Sequence, residues 1–174
     1  MTAKEAFQKI TKGGADDFAE AISICEQTGA YCLVGGLAVN CYVEPVYTLD
    51  ADLVVHSEQL EKVRKLFTQK GFKLEEQPHS LNTQLSKSDL RIQFTKDSRY
   101  QDFIVRAQIK KVFGIDVKVA SLQDLVQGKV WAWSDSERRL SKRQKDQADL
   151  IRIAESYPEI QKLLPQDLQK LLAG

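Results

Sequence analysis

Two aspartates separated by one residue, Asp50 and Asp52 in the stretch Leu49 to His56, have the clearest chemical potential in this chain. A strand over that stretch puts Asp50, Asp52 and Val54 on one face and Leu49, Ala51, Leu53 and Val55 on the other, a carboxylate side and a dry side. Strand rise spaces the two aspartates by about 6.5 to 7 Å at the backbone, close enough to reach one metal ion. Mg²⁺ takes hard oxygen ligands and completes its shell with water and substrate phosphates, so an aspartate pair is a partial site for it. Upstream, Gly35-Gly36 closes the apolar run Tyr31 to Val34. A paired glycine there lets a backbone turn approach an anion closely, with amides at the start of a helix available to phosphate. Each half alone is weak, because solvated strands carry DxD by chance and paired glycines are common in turns.

The elements that must position these residues follow from periodicity and punctuation. Thr2 to Gly29, broken at Gly13-Gly14, predicts two short amphipathic helices. Tyr31 to Val34 predicts a strand, and the residues after Gly36 a helix as far as Glu44, before Pro45. Ser57 is placed as the N-cap of a helix over Glu58 to Lys70 that stops at Gly71. Short strands are expected at Phe72 to Glu75, Leu81 to Leu85 and Leu90 to Thr95. A polar connection with a helical turn leads to Gln108 to Val119, where Gly114 marks a hairpin or bulge. Ser121 starts a helix through about Trp133, Glu137 to Ser156 reads as a longer one, and Pro158 and Pro165 restart short helical pieces. The expected architecture is α/β (α+β). A single domain over 1–174 has a helical lead-in (1–30), a mixed β-sheet head flanked by helices (31–120) and a C-terminal helical tail (121–174).

In this order, the strand, glycine turn, helix and Asp-x-Asp strand resemble the nucleotidyltransferase fold of the DNA polymerase beta-like superfamily. The similarity is to its minimal nucleotidyltransferases and abortive-infection toxin-type transferases. The turn is Gly35-Gly36, with Ala38 two residues beyond, and the strand is Thr48-Leu49-Asp50-Ala51-Asp52-Leu53. Val119 to Leu125 followed by Lys129 is similar to the branch's strand end, helix start and following lysine. Arg138 and Lys145-Asp146 with Asp149 are similar to its C-terminal basic signature. The resemblance covers roughly Tyr31 to Ile153. It implies a Mg²⁺-dependent transfer of a nucleoside monophosphate from a nucleoside triphosphate to a hydroxyl. Asp50 and Asp52 would be catalytic and metal-binding, and Gly35, Gly36 and Lys129 would bind the nucleotide. RNA ends, protein side chains or small molecules such as antibiotics are the implied acceptors, and an antitoxin the implied partner if the toxin-like branch applies.

The chain departs from the pattern at two places. Val46 stands where many relatives have an arginine, and Gln93 stands where the third carboxylate belongs, on the strand Leu90 to Phe94. An amide cannot act as a general base and is a poorer Mg²⁺ ligand. Asp89, four residues away on the same strand face, and Asp116, on the next strand region, are the replacements to check. Gln93 thus supports an alternative, a catalytically degenerate relative that binds nucleotide, RNA or a protein partner. The charge distribution alone supports a third reading, a basic-faced RNA-binding module.

The 174 residues carry a formal net charge of +1. That near-neutrality hides unlike blocks: 3 basic against 9 acidic residues in 1–60, 19 against 10 in 61–145, and 3 against 5 in 146–174. The run Arg138, Arg139, Lys142, Arg143, Lys145 is either a solvated face or a contact for triphosphate or RNA backbone. Trp131 and Trp133, two apart on a helix, point in different directions, one into core and the other toward a stacking or packing surface. Three cysteines, Cys25, Cys32 and Cys41, lack CxxC spacing and a histidine cluster, so buried thiols are expected rather than disulfides or zinc. With no apolar leader or membrane-length apolar window, a cytoplasmic protein without membrane association is expected.

Overall fold

The run Tyr31–Val34 is buried at every position because its strand, β1, lies in the middle of a seven-stranded sheet. The computed structural model describes residues 1–85 and 87–174. The other strands are β2 (Asp50–Val55), β3 (Lys73–Glu76), β4 (Ser80–Gln84), β5 (Arg91–Thr95), β6 (Gln108–Val112) and β7 (Ile115–Val119). Their spatial order is β3-β4-β5-β2-β1-β7-β6. The sheet is mixed: β2 runs parallel to β5 and β1 parallel to β7, while the other neighbours are antiparallel. The helices are α1 (Ala3–Ile10), α2 (Gly14–Thr28), α3 (Gly35–Val39), α4 (Leu60–Gln69), α5 (Leu122–Ser134), α6 (Leu140–Ser156) and α7 (Gln166–Ala173). This is the expected mixed α/β head with helices leading in and a helical tail leading out.

The alternation read from β2 decides which face of the sheet is dry. Ala51 and Leu53 pair with Ile92 and Phe94 of β5, and Phe94 meets Phe67 of α4 edge-on at 5.3 Å. These residues belong to the main apolar core, which also takes Phe18 and Ile22 of α2. On the opposite face, Asp50 and Asp52 stand beside Arg91 and Gln93. A second apolar cluster joins Val39 to Val126, Leu150, Ile153, Ile160 and Leu168, and so docks the C-terminal helices against α3 and α5. That docking carries α6 over the N-terminal end of β2.

Several local expectations hold and several shift. Ser121 caps α5, its side chain accepting from the Asp124 amide at 3.2 Å. Phe113 and Gly114, with φ of 49° and 84°, form the β6–β7 hairpin turn that Gly114 predicted. The helix after Gly36 ends at Val39 rather than Glu44. Asn40 supplies the reason, since its side chain bonds both the backbone carbonyl and amide of Val46 and folds the Pro45 loop back. Ser57 does not cap a helix with its side chain; it opens a 3₁₀ turn, Ser57–Gln59, and α4 begins at Leu60. The long C-terminal helix starts at Leu140, not Glu137, because the Asp135 side chain accepts from the Glu137 amide and holds a turn there. All three cysteines are free, Cys25 and Cys32 buried and Cys41 half-buried. No helix among the described residues is long and apolar enough to cross a membrane.

Candidate active site

Asp52 lies at the foot of a cleft of about 1340 Å³, walled by the exposed end of the sheet, the 3₁₀ segment Ser98–Arg106, α5 and the start of α6. The turn after β1 reaches it directly. Val34 pairs with Asp52 across β1 and β2, and Gly35 follows with φ +73°. A β-carbon on Gly35 would collide with the Asp52 carboxylate group, lying 3.0 Å from its Cγ and 3.1 Å from its Cβ. Only glycine accommodates both the left-handed backbone and that approach. Gly36 is less constrained, since a β-carbon there would make ordinary contacts of 3.7 to 3.8 Å with Thr48.

The two carboxylates are in contrasting electrostatic settings. Asp50 is 8% exposed and both its oxygens are taken, Oδ1 by Arg91 Nε at 2.7 Å and Oδ2 by Lys142 Nζ at 3.0 Å. Burial alone would push its carboxyl up, but Lys142 and Arg91 together hold it below the ordinary value. Asp52 feels several charges and accepts no hydrogen bond from the described residues. Its removal from water, with the Asp50 charge nearby, pushes it up to about 6 against the pull of Lys129, Lys142 and Arg138. A carboxylate with free oxygens beside a fully engaged one leaves room for one hard cation at Asp52, shared with Asp50 only if Lys142 or Arg91 gives way. Asp52 alone thus suits a hard ion such as Mg²⁺ as the structure stands, with the rest of its shell to come from phosphate and water. No group of three histidine, cysteine, aspartate or glutamate side chains suited to a metal occurs among the described residues.

Gln93 lies directly beside Asp52 in the β2–β5 ladder, on the cleft face, with Asn82 of β4 next across. The position expected for a third carboxylate is thus in register and holds an amide. Neither replacement reaches it. Asp89 precedes β5, pairs with Lys12 at 3.2 Å and gives its amide to Thr11; Asp116 sits exposed on the β6–β7 hairpin, paired with Lys111 at 2.8 Å.

Lys129 borders the cleft but is 8% exposed, its ammonium 3.0 Å from Asp146 and 2.8 Å from Asp149. Desolvation opposes its charge, yet the two aspartates hold its pKa above the ordinary value. Arg138 lies outside α6 and bonds Asp146 at 2.7 Å, so it does not form the helical face with Lys142 and Lys145 that a helix from Glu137 would give. Lys145 donates to Thr48 at 3.4 Å, Arg143 to the Trp133 carbonyl at 3.0 Å, and Arg139 stands exposed at the cleft rim. The basic run is therefore mostly spent on the protein itself. Sequence reasoning missed Arg91 as a partner of Asp50, although its parity with Gln93 on β5 carried the signal. It also missed Tyr100, whose phenol donates to the Gly128 carbonyl at 3.2 Å. Gly128 permits that approach: a β-carbon there would stand 3.0 Å from the Tyr100 ring.

The strand order, the glycine turn against β2 and the aspartate pair facing a cleft define a nucleotidyltransferase fold. The solved structures similar to this chain carry the same fold. Antibiotic-resistance factor ANT(2'')-Ia in complex with adenylyl-2''-tobramycin matches with TM-score 0.58 and 13% identity over 91% of this chain and 94% of that one. The antigenic nucleotidyltransferase-like protein from Paracoccidioides brasiliensis matches with TM-score 0.56 and 18% identity, over 96% and 85%. The lincosamide antibiotic adenylyltransferase LnuA, bound to lincomycin, matches with TM-score 0.52 and 14% identity, over 88% and 98%. No protein-family model matches the sequence, and no curated protein matches it either.

Proposed function

We propose that this chain is a Mg²⁺-dependent nucleotidyltransferase, moving a nucleoside monophosphate from a nucleoside triphosphate to a hydroxyl acceptor. The observation that carries the reading is the packing of the left-handed Gly35 against the Asp52 carboxylate, which brings a backbone turn and a carboxylate with free oxygens together at the cleft. Gly35 and Gly36 would present backbone to the triphosphate, and Asp50 and Asp52 would hold the metal. A bound Mg²⁺ would offset the charge developing at the α-phosphate. Lys142, released from Asp50 as the phosphates arrive, would follow the negative charge, while Lys129, held between Asp146 and Asp149, would reach phosphate only by leaving one of them. The acceptor oxygen bonds to the α-phosphorus as the bond to the bridging oxygen of pyrophosphate breaks. Gln93 cannot take the hydroxyl proton, which leaves to water, so turnover is expected to be slow. RNA, a protein side chain or a small molecule such as an antibiotic remains the acceptor class, and a toxin-like role would bring an antitoxin partner.

The test is incubation with each labelled nucleoside triphosphate, Mg²⁺ and cell extract, against the double variant Asp50→Ala, Asp52→Ala. Label transfer lost in the variant supports the enzyme. A second reading, a degenerate relative that binds nucleotide without transferring it, is favoured by Gln93 and by the occupation of both Asp50 oxygens. Mg²⁺-dependent binding without transfer supports that one, and no nucleotide binding sinks both.

A further inference from the structure

We infer that Arg99 and Trp131 form a stacking site for a nucleobase at the junction of the cleft with a second groove; the inference rests on the nucleotide reading of the cleft for the class of ligand. The 3₁₀ segment Ser98–Arg106 and α5 meet through their aromatic rings. Trp131 lies parallel to Phe103, ring centres 5.7 Å apart and 7° from coplanar, with Tyr100 edge-on at 5.3 Å. The guanidinium of Arg99 sits over Trp131, 4.5 Å from the ring centre. Asp97 fixes it there through bonds of 3.1 Å from Nε and 2.7 Å from the terminal nitrogen. Phe103 and the Arg99 guanidinium thus both pack on Trp131, which is itself half-buried, and the Arg99 side chain is 54% exposed.

Three properties of this stack point to a flat, neutral ring rather than to phosphate. Asp97 already neutralises Arg99, so the exposed guanidinium offers a polarised plane more than a net charge. Guanidinium planes and aromatic rings are the surfaces on which unstacked bases are held. The position also suits a ligand that starts at the aspartates. Tyr100, beside Trp131, is near enough to Asp52 to feel its charge. Arg99, Phe103 and Trp131 line both the main cleft and an adjoining groove of about 640 Å³, so the stack is the partition between them. Beyond it, Gln123 and Gln127, one turn apart on α5 and both exposed, line the groove with amides suited to the edges of bases.

The base belongs either to the donor triphosphate or to an acceptor strand, and three probes separate the sources: ATP, a short single-stranded oligoadenylate, and inorganic tripolyphosphate. The decisive variant is Arg99→Lys, which keeps the charge on an exposed side chain and removes the plane. Roughly tenfold weaker binding of ATP, of oligoadenylate or of both, with tripolyphosphate unchanged, is expected. Loss confined to ATP places the donor base on the stack, and loss confined to oligoadenylate places an acceptor base there. Unchanged binding of both base-bearing probes, or equal weakening of tripolyphosphate, overturns the site. Trp131→Leu should repeat the pattern, with folding checked by circular dichroism. The Asp50→Ala, Asp52→Ala protein separates the two ideas. If it retains full Mg²⁺-dependent tripolyphosphate binding, the nucleotidyl-transfer reading fails, while the Arg99→Lys comparison still decides the stacking site.

Discussion

Gln93 stands beside Asp52 in the parallel pair of β5 and β2, one strand spacing away and on the same face, so its amide occupies the place from which a third carboxylate would complete the site. Gln93→Asp is therefore expected to raise any nucleotidyl transfer by roughly tenfold or more, because it supplies both a proton acceptor and a hard ligand. In the metal-free protein it should cost about 1 kcal/mol, since it puts a like charge next to Asp52. Single-turnover transfer and thermal unfolding with and without Mg²⁺ test both halves. An unchanged or lower rate would mean that position 93 is not the missing catalytic place.

What the sequence makes legible is local. The alternation in β2, the glycine turn, the Ser121 cap and the turn at Gly114 each depend on neighbours within a few residues, and each is found as read. Gln93 also lies on the face of Asp52, as its alternation with apolar Ile92 and Phe94 requires, but that it falls beside Asp52 rather than two residues away is not set by parity. Contacts across long stretches of chain are not legible. Lys142 meets Asp50 over 92 positions, and Lys129 reaches Asp146 over 17 only because the second apolar cluster docks α6 on α5. A run of five cations looks the same in sequence whether it faces solvent or neutralises the protein's own carboxylates.

Gly35 and Gly36 are separable by substitution. Gly35→Ala forces a β-carbon into the Asp52 carboxylate at a left-handed φ and should cost about 2 kcal/mol or more. Gly36→Ala meets only ordinary contacts with Thr48 and should leave stability within about 1 kcal/mol of the parent. If the turn cradles triphosphate, Gly36→Ala will nevertheless weaken ATP binding. Chemical denaturation gives the stabilities and calorimetric titration the affinities; ATP affinity unchanged in a well-folded Gly36→Ala protein would argue that the turn serves the fold alone.

Lys142 occupies Asp50 Oδ2, the oxygen for which a divalent ion bound by the aspartate pair would have to compete. Lys142→Met, which keeps most of the aliphatic stem, should increase Mn²⁺ affinity several-fold in the absence of nucleotide, read from the loss of the free Mn²⁺ paramagnetic resonance signal. The same variant should bind tripolyphosphate more weakly, because a cation at the cleft is lost. The pair is half-exposed on the lysine side, so its removal should lower stability by no more than about 1 kcal/mol. Mn²⁺ affinity that falls would place Lys142 as a support of the metal site rather than its competitor.

Asp52 makes stability depend on pH in a direction opposite to that of a salt-bridged carboxylate. Its ordinary value is 3.8 and the folded protein raises it to about 6, chiefly because the group is withdrawn from water. Below about pH 4 it is protonated in both states and contributes nothing to the difference. Between about 4 and 6 the folded chain keeps a proton that the unfolded chain has released, so stability falls as pH rises; above 6 the full cost remains, on the order of 2 to 3 kcal/mol. Asp52→Asn removes the titration, and the native carboxylate has no hydrogen bond from the described residues for the amide to lose. In metal-free buffer the variant should match the parent near pH 4, gain on it through pH 6 and hold a constant advantage above, measured as the difference in unfolding free energy. Mg²⁺ with ATP should shrink that advantage, because ligand held by the ionised Asp52 stabilises only the parent. A difference that does not change between pH 4 and pH 7 would show that Asp52 titrates in the folded protein as it does in the unfolded chain.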